Sequence, residues 1–458
     1  MKFSRTRTHC KAHALPRLNF ESQTLTSFSG LVIFQKLFAA LDLKEKLRPC
    51  FRGCNNGKIF NRATLFLQMI LHLLLGFREL QHCQYYQEDP LVKRVLGLKR
   101  IPDVATLSRF LKDATAQNME ALRTCFKELI FTRLVSLAPH RLTLDFDGSV
   151  QSTKRHAEGS AVGFNKKKKG ARSYDPLFCT IAQTYQVFDF HHRPGCVHDS
   201  NGAKTFILSC IDAIRAVLPH TQIEVRMDSA FFSDQIITAL ESRGVDFTIS
   251  VPFERLTELK AMVEQRQRWH RLDGQTDYFE TPWKPKKWNR RFRFIFIRTK
   301  TKKQQKEPIP LDLFIPYQYG YDFKVIITNK PLSPKRVAAY HEGRGSQESI
   351  FAELKSHCHQ DYIPVRTLHG NQVYLLAGLF AYNLTRELQM QTTEPARNTT
   401  AKRTALWIFE KVDTLRKTLI TRAGRFTRPK GILTLTISAN EWIKTKLLNT
   451  LEAIPTKA

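Results

Sequence analysis

The sequence predicts a mixed α/β protein with a helical N-terminal domain and a basic, β-rich insertion. Three observations lead there. From Leu142 onward, strand-like runs give way to strand–helix alternation, the pattern of a mixed sheet flanked by helices. Before that, from Leu25 to about His140, apolar residues recur three and four apart, as in G-L-V-I-F-Q-K-L-F-A-A-L. Between Thr281 and Pro308 stand eleven Lys and Arg against one acid, Glu307. The run R-F-R-F-I-F-I-R alternates cleanly there, as a strand does.

With 458 residues the chain is long enough for two or three domains with real cores. Hydrophobic residues make up 42% and charged residues 25%, which excludes a disordered chain. The charge balance is the strongest single clue. Lys and Arg total 72 against 41 acids, a formal net charge of +31, and such a surface favours a polyanion such as nucleic acid. Nine scattered cysteines fit free thiols in a reducing cytosol; Cys50 and Cys54 have no second pair at zinc-finger spacing. The N-terminus M-K-F-S-R-T-R-T-H-C has no apolar signal core. The apolar run Ala63–Phe77 contains Gln68 and His72, is too short to span a membrane, and reads as a buried helix.

In chain order, residues 1–140 form the helical domain, a candidate for binding a DNA end. Within it, I-P-D-V-A-T-L-S-R-F-L-K-D starts a helix at Pro102 and Asp103. That helix, with Thr106, Ser108 and Arg109 exposed, suits either a helix-turn-helix or an ordinary bundle. Residues 141–253 are the first part of the α/β core. L-T-L-D-F-D-G-S-V is its first strand, with Asp145 and Asp147 on one side because side chains alternate. A basic loop follows and carries Lys166, Lys167, Lys168 and Lys169. The strand Q-I-E-V-R-M-D ends at Asp228, and Ser233 and Gly244 bracket the next helix. Residues 254–324 are the β-rich insertion, and residues 325–390 complete the core. Residues 391–458 read as basic and helical, a candidate dimerisation region.

Three acids stand out. Asp147 and Asp228 each end a strand, where functional groups gather in open α/β sheets. Glu348 lies in R-G-S-Q-E-S-I-F-A-E-L-K, four residues after Arg344 and seven before Lys355, so all three share one helical face. Taken singly, each has an ordinary explanation: a turn residue, or an exposed helix salt bridge worth a few tenths of a kcal/mol, ~0.3. Together they suggest more. Converging carboxylates need cations, and Mg²⁺ prefers hard oxygen ligands. Two such ions can activate the attacking oxygen and stabilise the leaving one in a phosphodiester displacement. Arg344 and Lys355 would then hold phosphates.

These residues resemble a known family. The chain is similar to insertion-sequence transposases of the DDE class, with an RNase H-like core. More narrowly, Arg344, Glu348 and Lys355 match the spacing of the branch marked by a Tyr-Arg-Glu-Lys motif, which includes the Tn5-type enzymes. The resemblance spans roughly residues 140–390. Asp147 in D-G-S-V and Asp228 in R-M-D-S-A-F stand where that family has its two aspartates. Asp145 stays open as an alternative first ligand. One position departs: His341 stands three before Arg344, and Tyr340 stands four before.

The resemblance implies an RNase H-like mixed sheet flanked by helices and a transposase with no protein nucleophile. Metal-bound water cuts one strand at a transposon end, and the freed 3′-hydroxyl attacks the second strand or the target. Asp147, Asp228 and Glu348 would bind two Mg²⁺ ions, with Mn²⁺ as a substitute. Arg344, Lys355 and Tyr340 would contact DNA. Trp283 or Trp288 would either stack on an unpaired base, for about 1–3 kcal/mol, or pack the β layer. Lys166 to Lys169 would contact phosphates or be solvated. The partners implied are double-stranded DNA, as terminal inverted repeats and target, and a second copy in a synaptic homodimer. The implied location is the bacterial cytoplasm, at the nucleoid, and not a membrane. Two other readings fit the same residues: an RNase H-like nuclease that cuts without joining, and a non-catalytic DNA-binding derivative.

Overall fold

The computed structural model describes residues 15–21, 23–53, 59–154, 156–163, 165, 168–197, 202–300, 320–395 and 404–456. Lys166, Lys167 and Cys54 lie outside these described residues.

The N-terminal region is helical, as its apolar period predicts. Its main helices are α1 (Arg62–Leu74), α2 (Val104–Lys112) and α3 (Ala116–Leu137). Asn61 caps α1 by accepting from Thr64 N–H at 2.8 Å. The two polar residues of the apolar run find partners inside the bundle. Gln68 donates to the Pro102 carbonyl at 3.3 Å, and His72 Nδ1 lies 3.1 Å from the Tyr86 hydroxyl. Burial lowers His72 to about 3, so it is neutral. No helix among the described residues is long and apolar enough to cross a membrane. Asp103 caps α2, accepting from Thr106 N–H at 2.8 Å. Leu107, Phe110 and Leu111 of α2 are buried; Arg109 is exposed, while Thr106 and Ser108 are half-buried.

The core is one nine-stranded sheet. Its strands are β1 (Arg141–Gly148), β2 (Leu177–Ile181), β3 (Gln186–His191), β4 (Gln222–Met227), β5 (Asp246–Ser250), β6 (His270–Arg271), β7 (Thr276–Trp283), β8 (Phe292–Lys300) and β9 (Tyr321–Thr328). Across the sheet the order is β6-β7-β8-β9-β5-β4-β1-β2-β3. β1, β2 and β3 form an antiparallel meander, whereas β4 runs parallel to β1 and β5 parallel to β4. Helices α4 (Ala203–Val217) and α5 (Asp234–Ser242) make those parallel crossovers. This is the expected mixed sheet flanked by helices.

The stretch expected as an insertion holds a helix, Thr257–Glu264, and β6 to β8. Its strands add to the edge of the core sheet: β9 pairs antiparallel with β5, β8 with β9, and β7 with β8. Buried Ile and Phe alternate along β8 because it lies inside a continuous sheet.

After β9 come α6 (Pro334–Glu342), a short 3-10 turn at Gly343–Gly345, α7 (Ser346–Ser356) and α8 (Leu368–Thr392). Every residue of α8 from Gly370 to Met390 is buried. The bundle helices α1, α2 and α3 pack on one side of it and β3 on the other. Asn383 pins it to the sheet, accepting from Val187 N–H at 3.0 Å and donating to Val187 O at 2.8 Å. One hydrophobic core therefore runs from the bundle through α8 into the sheet.

The C-terminal region departs from its purely helical expectation. Gly424–Thr427 and Thr434–Ile437 are strands, and the helix Glu441–Ala453 follows them. Their β-branched alternation and the R-P-K-G turn make a hairpin that pairs with Leu25–Thr26. The strand they pair with lies near the other end of the chain.

Gly370 marks a close approach of the bundle to α8. A Cβ built there would lie 2.3 Å from the Leu111 carbonyl oxygen. Gly370→Ala is therefore expected to destabilise the chain by about 1–3 kcal/mol despite alanine's better helix propensity. A urea unfolding midpoint at or above the wild-type value would show that this contact relaxes freely.

Candidate active site

The site is assembled by the ends of β1 and β4 and by α7. Both strands point their C-terminal ends the same way because they are parallel neighbours, with Asp145 opposite Arg226 and Phe146 opposite Met227. Asp147 follows on β1 and Asp228 follows β4, so the two acids leave the sheet side by side. Asp228 caps a short 3-10 turn and accepts from Ala230 N–H at 2.9 Å. Asp147 accepts from Gly148 N–H at 2.8 Å and from the Arg344 guanidinium at 3.1 Å.

Asp145 has a different part. It is 1% exposed and takes a two-pronged bond from Arg226, at 2.6 and 2.7 Å. Arg226 is itself fully buried and donates a third bond to the Tyr340 carbonyl at 3.0 Å. Gln347 of α7 donates to the Asp145 carbonyl at 3.0 Å. Beside this pair, Thr143 donates to Glu224 at 2.9 Å, and Lys330 bonds the same carboxylate. The inner part of the strand face is thus a closed polar network, and Asp147 is the half-exposed acid at its open end.

One cavity of about 1680 Å³ opens over these elements. Asp228, Glu348 and Lys355 line it, as does Gly148 next to Asp147. Lys168, Lys154, Arg78 and Arg255 add positive charge to its wall, and Phe232, Phe323 and Phe351 add aromatic surface. Sequence reasoning missed three of these cations. Lys154 sits just after β1 in Q-S-T-K-R and was within reach of a reading that followed the basic loop. Arg78 and Arg255 come from the bundle and the turn after β5, and only tertiary folding brings them here.

The other expected site residues fall elsewhere. Arg344 sits in the 3-10 turn that joins α6 to α7, where Gly343 and Gly345 keep right-handed helical backbone angles. Tyr340 is not a DNA-facing residue in this structure. It is buried, with its ring against Arg226 at 5.2 Å and the Lys330 ammonium at 4.5 Å. Burial pushes its hydroxyl well above the usual range. His341, at the motif's tyrosine spacing, is buried as well, its ring nitrogens 3.0 Å from Thr248 Oγ1 and 2.8 Å from Ser250 Oγ. Burial, followed by Lys324 and Arg344, pushes it well below the usual histidine range, so it is neutral. Trp283 and Trp288 are also buried, and neither lines the cavity. Trp283 packs edge-on against Phe294, and Trp288 stacks on Phe232 at 4.8 Å. Lys169 is exposed beside Lys168.

Among the described residues no group of three His, Cys, Asp or Glu side chains is close enough to hold a metal ion as the chain stands. The donor chemistry nonetheless suits a divalent cation: the carboxylates of Asp228 and Glu348 line the cavity, and that of Asp147, next to the lining residue Gly148, is held by the Arg344 guanidinium. Glu348 lies in the first turn of α7, where the helix dipole favours a carboxylate.

Comparison with known proteins completes the picture. A family model described as transposase DDE domain group 1 matches residues 10–457. Among solved structures, the chain is similar to the piggyBac transposase in a synaptic complex with hairpin DNA, seen by cryo-EM. The identity is 10% and the TM-score 0.41, over 85% of this chain and 80% of that one. It is similar more faintly to the Mos1 transposase in a paired-end complex with the left transposon end. There the identity is 11% and the TM-score 0.17, over 42% of this chain and 60% of that one. Both likenesses are too distant to place individual residues. A search of curated proteins finds no match. Because the family match runs over nearly the whole chain, the protein belongs to the transposase DDE domain group 1 family.

Proposed function

We propose that this transposase cleaves transposon-end DNA and joins the freed 3′-hydroxyl ends to target DNA by metal-dependent phosphodiester transfer. The observation that carries the reading is the convergence of Asp228, Glu348 and Lys355 on one cavity, with Asp147 at its edge. Asp147, Asp228 and Glu348 are the residues that would hold a pair of divalent cations, Mg²⁺ or in its place Mn²⁺. Bound there, the ions supply charge stabilisation for the displacement at phosphorus.

The chain's own groups do the rest. Lys355, Lys154 and Lys168 bind DNA phosphates along the cavity wall and fix the strand over the acids. Arg344 neutralises Asp147 in the free protein and turns to phosphate when DNA and cations enter. The spacing of Arg344, Glu348 and Lys355 supports a place in the Tyr-Arg-Glu-Lys branch, although the tyrosine position is taken by buried His341. A net charge of +31 supports double-stranded DNA as the partner, both as transposon ends and as target. Pairing two ends calls for two copies of the chain, and the region after Lys402 is the proposed dimer contact.

Asp228→Asn and Glu348→Gln remove a proposed ligand each while leaving Lys355, Lys154 and Lys168 in place. Each is expected to slow Mg²⁺-dependent cleavage of a duplex carrying the DNA that flanks this gene by ~100-fold or more. Gel-shift affinity should stay within about twofold. Cleavage at the wild-type rate in either variant would sink the assignment. Lys355→Ala is expected to weaken DNA binding and to reduce the slope of log K against log salt by about one; an unchanged slope would remove Lys355 from the phosphate contacts. Products joined to a target plasmid, resolved on a gel, are expected from a transposase, whereas cuts alone would favour the nuclease reading.

A further inference from the structure

Arg226 ties together the two strands that lead to Asp147 and Asp228 and the helix α6 that precedes the segment of Glu348. It stands two residues before Asp228 on its own strand. Its fork grips Asp145, two residues before Asp147 on the neighbouring strand, at 2.6 and 2.7 Å. Its third bond, at 3.0 Å, goes to the carbonyl of Tyr340 on α6, whose end leads through Gly343–Gly345 into the helix of Glu348. A second tie reinforces the third arm, since Gln347 beside Glu348 donates to the Asp145 carbonyl at 3.0 Å. We propose that Arg226 is a positioning residue, the buried three-way brace that sets the mutual spacing of Asp147, Asp228 and Glu348. The proposal rests on the metal-site reading above and adds what holds that site in shape.

Backbone pairing alone does not explain this arrangement. The parallel ladder from Arg141–Gln222 to Phe146–Met227 already joins β1 to β4. It does not reach α6 or α7, which the sheet contacts through side chains. Only a planar group with several donors can hold a carboxylate face-on and a carbonyl from a third segment at once, and that is the geometry of a guanidinium. A lysine in its place is a point charge and cannot make the two-pronged bond to the carboxylate. Buried ion pairs of this kind seldom raise stability over apolar side chains of like size, so fold stability is a weak reason for having one here. Tyr340 closes the brace from below, its ring 5.2 Å from the guanidinium carbon.

The test separates position from stability. Arg226→Ala alone strands a buried carboxylate and destabilises the chain whatever the role of Arg226, so the informative variant replaces both partners: Asp145→Leu with Arg226→Met. Arg226→Lys serves as the conservative partial rescue. Full-length wild type, the double variant, Arg226→Lys and Asp228→Asn are titrated with MnCl₂ by calorimetry, with thermal unfolding and DNA gel shift run on the same samples. The expected result is a double variant that melts within a few degrees of wild type, about 5 °C, and binds DNA alike. Its Mn²⁺ affinity should fall by roughly tenfold or more, with Arg226→Lys in between. Unaltered Mn²⁺ affinity in the double variant, beside a loss in Asp228→Asn, would overturn the brace and leave the metal site standing. Unaltered affinity in Asp228→Asn would overturn the metal-site reading itself, and the brace with it. A double variant that no longer folds would show the pair to be a stability element and would also overturn the proposal.

Discussion

The buried pair of Asp145 and Arg226 is the constraint on which the rest of the structure turns. A carboxylate and a guanidinium that are both closed off from water cannot be separated cheaply. Removing one partner of such a pair typically costs about 3–5 kcal/mol, because the other is left charged in a poor medium. The sheet therefore has little freedom to slip at this point. One residue of slippage between β1 and β4 would turn Asp145 to the opposite face and break the pair. The same register that satisfies the buried pair puts Asp147 and Asp228 side by side at the open end of the strands. The placement of the proposed chemistry is thus tied to this contact.

Helix α8 plays a comparable part for the whole molecule. It is buried on all sides because the N-terminal bundle covers the side that the sheet does not. Its charged residues survive there in pairs. Arg386 bonds Glu353 of α7 at 2.6 Å, and Glu387 is held by Arg133 of α3. The helical region is therefore bound to the sheet through a shared helix, which explains how Arg78 from the bundle comes to line the cavity. Basic groups from the bundle, from the segment after β1 and from α7 then surround the same space. A polyanion lying in that space would touch distant parts of the chain together, which is how an excess of charge spread along the sequence becomes local.

Much of this was legible in the sequence, for identifiable reasons. Strand alternation and the residues Gly148 and Ser229 after the aspartates marked where β1 and β4 end, and the structure has both ends there. The apolar period gave the bundle and the long helix near residue 370. What remained hidden depends on tertiary surroundings. Asp145 and Asp147 share a strand face and look alike in sequence; only the burial of Arg226 opposite Asp145 tells them apart. Arg344 and Glu348 have helical spacing, and the helical run holds through both, tightened to a 3-10 turn at Arg344. Tyr340, Trp283 and Trp288 have the chemistry of DNA contacts, but neighbours bury them: Lys330 and Arg226 around the tyrosine, Phe294 and Phe232 against the tryptophans. Short C-terminal strands escaped because their pairing partner, Leu25–Thr26, lies at the other end of the chain.

In the proposed site, the fold brings Asp147, Asp228 and Glu348 together to hold divalent cations. Anomalous scattering from crystals of the protein soaked in MnCl₂ tests it most directly. The account predicts anomalous peaks between these three carboxylates, with Arg344 turned away from Asp147. Peaks elsewhere on the chain, with Arg344 still bonded to Asp147 and no scatterer at Asp228 or Glu348, would contradict it.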